Sequence, residues 1–185
     1  MEVYLIRHTK PQIGKGICYG QTNIPLMKSF HKEAKVVATT LPKNIDIVFS
    51  SPLSRCMQLA KYIPAKNFIS DKRLLEMNFG DWEMEKWDAI DQTILSVWMK
   101  YFVTMRVPNG ENFIDLYNRV NSFFNELTLR NYKKVAIVTH AGVIRCLVAK
   151  LLELPYSESF TISVEYSSVK KLLLNADGTL NKVLV

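Results

Sequence analysis

The sequence predicts an α/β fold: a mostly parallel central sheet, helices on both of its faces, and a short helical insertion over the candidate site. Three observations carry that prediction. Continuous apolar runs at residues 3–6 and 135–138 read as strands buried on both faces, as strands of parallel sheets are. Stretches with apolar residues at helical spacing alternate with them. Both runs end on a histidine, His8 and His140, at the carboxyl end of a strand, where open α/β sheets bind their ligands.

A chain of 185 residues, 48% hydrophobic and 22% charged, fits one globular domain over residues 1–185. The first strand begins at residue 2, which leaves no room for a leader, and no apolar run approaches the ~20 residues of a membrane helix. A cytoplasmic protein without a membrane partner is expected. Cys18, Cys56 and Cys146 form no CxxC pair and read as reduced thiols. The net charge of +7 favours an anionic partner. Its lysines, however, fall on outer helix faces (Lys28, Lys32, Lys35) or near the C-terminus, with no basic run interleaved with aromatics. Small phosphorylated metabolites fit this pattern and nucleic acid does not. Homodimerisation stays open.

In chain order, Glu2 to Ile6 form the first strand and Arg7-His8-Thr9 its end. A loop with Gly14, Gly16 and Gly20 follows. Its third glycine is one residue late for a dinucleotide fingerprint and no helix opens there, so the glycines read as letting backbone approach a bound group. Phe30, Ala34, Val37, Ala38 and Leu41 mark a helix over residues 28–41, stopped by Pro42. Residues 45–49 are a strand. Ser51 then reads as an N-cap and Pro52 as the first helical residue, with Arg55 in the first turn. Residues 67–70 read as a third strand. Glu76, between Leu75 and Met77, is either an acid raised by burial or an arginine's ion-pair partner. Trp87, Ile90, Ile94, Trp98 and Tyr101 suggest a helix within 85–107, and a longer one spans 112–130. After the strand ending at Thr139 comes another helix, then strands at 160–165, 169–174 and 179–185.

Arg7, His8, Arg55 and His140 thus gather at strand ends, with Glu76 in reach. Two planar guanidinium forks and a protonated imidazole suit the oxygens of a phosphoryl group. Arg7-His8-Thr9, Ser51-Pro52-Leu53-Ser54-Arg55, Leu75-Glu76-Met77 with Phe79-Gly80-Asp81-Trp82-Glu83, and Thr139-His140-Ala141-Gly142 resemble, in order, the signature blocks of the histidine phosphatase (phosphoglycerate mutase-like) superfamily. Residues 16–26 are similar to its α-ribazole phosphatase branch. Asn23 replaces a usual Asp, Phe30 a usual Gly, and Gly14 stands where many members have an asparagine near the phosphate.

The resemblance implies a phosphatase that removes the 5′-phosphate of α-ribazole 5′-phosphate, or of the cobalamin phosphate, during cobalamin nucleotide-loop assembly. It implies that His8 becomes phosphohistidine, that Arg7, Arg55 and His140 hold the phosphoryl oxygens, that Glu76 serves as acid and base, and that no cofactor or metal is needed. Gly20, Gln21 and Thr22 are candidate substrate contacts. The rivals are a broad metabolite phosphatase, a phosphoglycerate mutase, and a non-catalytic phosphate-binding protein. A zinc site from His8, His140 and Glu76 is disfavoured because Arg7 would repel the metal.

Overall fold

The structure, a computed structural model, describes residues 1–184. Its six strands are β1 (Glu2–Arg7), β2 (Ile45–Ser50), β3 (Ala65–Ser70), β4 (Lys134–Thr139), β5 (Val169–Leu174) and β6 (Leu180–Leu184). They form one sheet in the order β3-β2-β4-β1-β5-β6. The first four run parallel to one another, while β5 is antiparallel to β1 and β6 to β5. Registers pairing Arg7 with Thr139 and Ser50 with Val138 bring the ends of β1, β4 and β2 level. That edge carries the site.

Side-chain alternation divides the interior between the two faces of the sheet. Tyr4, Ile6, Ala136 and Val138 meet Phe30, Ala34 and Val37 of α1 (Phe30–Thr39) and Leu59 of α2 (Ser54–Ala60). Val3, Leu5, Val135 and Ile137 meet Leu116, Val120 and Phe123 of α4 (Phe113–Thr128) and Leu147 of α5 (Ala141–Leu151). Between α2 and α4 lies the insertion, whose helix α3 spans Gln92–Tyr101. Its Asp91 cap accepts from the amides of Thr93 and Ile94, and Asn112 with Asp115 forms a capping box that starts α4. Among the described residues no helix is long and apolar enough to cross a membrane.

Three expectations are corrected. The aromatic stretch at 85–107 is helical only over α3, because the amides of Met84 and Trp87 and the carbonyl of Glu85 bond the glycine loop at Gly16 and Cys18. Residues 160–165 are not a strand. A 3₁₀ turn spans Tyr156–Thr161, and Arg145 and Arg7 take the carbonyls of Ile162 and Val164. Ser51 does not cap α2, whose N-cap is Leu53; its hydroxyl is 2.8 Å from His140 Nε2. Val185, the end of the last predicted strand, lies outside the described residues. All three cysteines are free and buried.

Candidate active site

His8 is 2% exposed, and its Nδ1 lies 2.7 Å from the carbonyl of Thr9. A carbonyl only accepts, so Nδ1 carries the proton and Nε2 keeps its lone pair. Burial, then the nearby charge of Arg55 and, less, of Arg7, outweighs that hydrogen bond and holds the imidazole down at about 3. At neutral pH His8 is therefore an uncharged base with one free nitrogen, set among cations.

Arg55 sits on α2 with no exposed surface, and its terminal nitrogens donate to the carbonyls of Gly20 at 2.6 Å and Thr22 at 2.8 Å. Arg7 donates to Val164 at 2.6 Å, and its guanidinium carbon lies 3.7 Å over the centre of the Tyr166 ring. The buried Nε of each arginine has no hydrogen-bond partner among the described residues. Two buried guanidinium edges left unmatched by protein acceptors are donors suited to an anion. The His140 ring, 5.1 Å from that of His8, completes the floor. Burial first, then His8 and the arginines, keeps His140 well below an ordinary histidine, so the protonated imidazole expected from sequence is neutral in the unliganded protein.

Glu76 accepts from its neighbour's amide, Met77 N, at 2.9 Å and from Gly142 N in the first turn of α5 at 3.2 Å. No arginine pairs with its carboxylate among the described residues; Arg119 instead donates to its backbone carbonyl and to those of Arg73 and Leu75. The three loop residues proposed as substrate contacts are placed differently from one another. Gly20 packs so tightly that a Cβ would lie 2.1 Å from the carbonyl of Met77. The amides of Gln21 and Thr22 donate to Glu83, and the Gln21 side chain donates to the carbonyl of Glu76. Their visible work is to shape the cradle of Arg55. Gly14 is unconstrained, since a Cβ there would make only an ordinary contact with Ile17.

A model of the histidine phosphatase superfamily (branch 1) matches residues 3–184. The chain belongs to that superfamily. It is 26% identical to the adenosylcobalamin/alpha-ribazole phosphatase of Escherichia coli over 100% of this chain and 95% of that one. It is also 26% identical to phosphoserine phosphatase 1 of Hydrogenobacter thermophilus, over 91% of this chain and 84% of that one. The crystal structure of the alpha-ribazole phosphatase from Shigella flexneri superposes with a TM-score of 0.88 at 28% identity, covering 100% of this chain and 96% of that one.

Within this histidine phosphatase, several residues at the site had no role in the sequence reading. Tyr166 supports Arg7, and its hydroxyl lies 2.5 Å from that of Tyr19. Glu83 ties the amides of Gln21, Thr22 and Phe79. Glu83 did stand in a matched block, so a signal was present; Tyr166 lies in a loop with no pattern of its own.

Proposed function

We propose that the protein is a phosphomonoesterase working through a phosphohistidine. One observation carries this reading: a neutral His8 with Nε2 free, set beside the unmatched guanidinium edges of Arg7 and Arg55. In the first step His8 Nε2 bonds to phosphorus in line as the ester P–O bond breaks, and Glu76 delivers a proton to the leaving alkoxide. Arg7, Arg55 and a His140 that takes up a proton as the dianion binds neutralise the equatorial oxygens. In the second step the Glu76 carboxylate removes a proton from water, which attacks the phosphohistidine and releases inorganic phosphate and neutral His8.

For the substrate we favour α-ribazole 5′-phosphate or the corresponding cobalamin phosphate. The likeness of residues 16–26 and the alpha-ribazole phosphatase relatives support this choice. The test is phosphate release from α-ribazole 5′-phosphate beside phosphoserine and 3-phosphoglycerate, with rapid-quench trapping. An acid-labile phosphoryl group on the wild type, absent from His8→Ala, is expected, together with the highest kcat/KM for the ribazole. Equal turnover of all three would discard the ribazole; a folded protein that neither turns over nor labels would leave a phosphate-binding protein.

A further inference from the structure

The insertion and the 3₁₀ turn that follows α5 enclose a cleft of about 380 Å³ walled by Phe79, Trp87, Leu95, Trp98, Phe102 and Phe160, with Met99 at its rim. That volume is within the range of small-molecule sites. Phe79 and Phe160 also line a smaller pocket that contains Glu76, Gly142, Arg145 and Ser159, so the cleft shares two of its walls with the pocket of the residue assigned to protonate the leaving alcohol. Its walls are fixed by packing. Trp98 lies edge to face with Trp82 at 5.4 Å, and Phe102 with Phe160 at 4.7 Å.

Two buried polar atoms of residues lining these pockets have no partner among the described residues. One is the indole Nε1 of Trp98, a residue only 2% exposed; the other is the hydroxyl of fully buried Ser159. A buried indole N–H without an acceptor is uncommon in a core. Arg145 lines the smaller pocket, its Nε on the carbonyl of Ile162 at 3.0 Å and its guanidinium carbon 5.5 Å over the shared wall Phe160. Beside Glu76 there are thus polar groups, and on the other side of Phe79 and Phe160 an aromatic-walled slot.

We propose that this cleft seats a flat aromatic group of the leaving alcohol, with Trp98, Phe160 and Arg145 as specificity-determining residues. The proposal rests on the phosphatase reading of the Glu76 site but not on any one natural substrate. A serine or glycerate leaving group has no apolar surface to place there. A ring joined to the phosphate by a short hydroxylated link would meet Arg145 first and the aromatic walls beyond.

The test compares 2-naphthylmethyl phosphate with ethyl phosphate, two esters whose alkoxides leave with similar difficulty. Burial of the ring predicts a kcat/KM about 10–100-fold higher for the naphthyl ester. In Met99→Glu and Phe160→Ala, both at exposed positions on the cleft, that ratio should shrink by about tenfold, whereas Phe68→Ser on the edge strand β3 should leave it unchanged. Hydrolysis of both esters without preference, or a preference that survives both cleft variants, overturns the cleft and leaves the chemistry standing. If the wild type hydrolyses neither ester, turnover and labelling with α-ribazole 5′-phosphate judge the chemistry. Equilibrium binding to His8→Ala, followed by tryptophan fluorescence, then decides the cleft: naphthyl ester binding about 10–100-fold tighter than ethyl phosphate supports it and equal binding overturns it.

Discussion

At Gly142 a single methyl group would separate a sound helix from a working site. Its amide donates to Glu76, and a Cβ added there would lie 2.3 Å from the Glu76 Oε1. Alanine is the better helix former by up to ~1 kcal/mol, so Gly142→Ala should hold or raise stability while displacing the carboxylate. Because that carboxylate is assigned to protonate the leaving oxygen, the variant should lose about 10²–10⁴-fold in kcat/KM on alkyl phosphates. It should lose far less on p-nitrophenyl phosphate, whose phenolate leaves without a proton; equal losses on both would remove Glu76 from the acid role. Arg55→Lys tests the opposite side of the site. A lysine keeps the charge but cannot hold the carbonyls of Gly20 and Thr22 and also present an Nε edge. A fall of about 10²–10³-fold in kcat/KM with intact folding is expected, and near-normal activity would show that charge alone suffices.

Elements, more than residues, decided what the sequence made legible. Strands β1 and β4 were readable because both faces are buried and their apolar runs are unbroken, and parallel pairing then placed His8 and His140 together without further information. The start of α4, expected near 112, was equally local, since Asn112 and Asp115 cap it within one turn. Illegible were segments whose backbone bonds to distant loops: residues 84–87, tied to the glycine loop, and 160–165, whose carbonyls serve Arg7 and Arg145. Ser51 misled for the same reason, its hydroxyl being taken by His140, a residue 89 positions away. The loop at 20–22 gives this dependence a test. Burial raises Glu83, but hydrogen bonds from Thr22, Gln21 and Phe79 outweigh it and hold the carboxyl below its ordinary range, so it is ionised at neutral pH. Glu83→Gln keeps the shape and removes the charge that those amides meet. Faster hydrogen exchange at Gln21 and Thr22, with kcat/KM down about tenfold through a loosened Arg55, is expected, at a cost within the ~1.5–3 kcal/mol of hydrogen bonds to charged groups. Unchanged exchange would mean that Arg55 orders the loop without Glu83.

For the whole molecule, a site built from buried neutral histidines makes stability depend on pH. In the unfolded chain His8 and His140 titrate near 6.5, whereas in the folded protein burial and neighbouring cations hold His8 near 3 and His140 well below the ordinary value. Below pH 6.5 the unfolded state therefore binds more protons, and stability rises with pH. Both contributions are fully present above pH 6.5 and are lost as the pH falls toward the folded-state values. Each histidine adds a slope of up to about 1.4 kcal/mol per pH unit. The carboxylates held low in the folded state, Asp71 and Glu83 among them, act in the same direction but only near and below their ordinary values of 3.8 and 4.5. The interval from pH 6.5 to 5 thus belongs to the histidines. Urea unfolding at pH 7, 6 and 5 should show a midpoint that falls with acidification, and His8→Ala combined with His140→Gln should flatten the fall. If the double variant keeps the wild-type slope, the protons enter elsewhere and the neutral state assigned to both rings is wrong. The same neutrality separates binding from folding. A phosphate dianion favours protonated His140, so inorganic phosphate should raise the midpoint of the wild type more than that of His140→Gln, and equal shifts would take His140 out of the anion site.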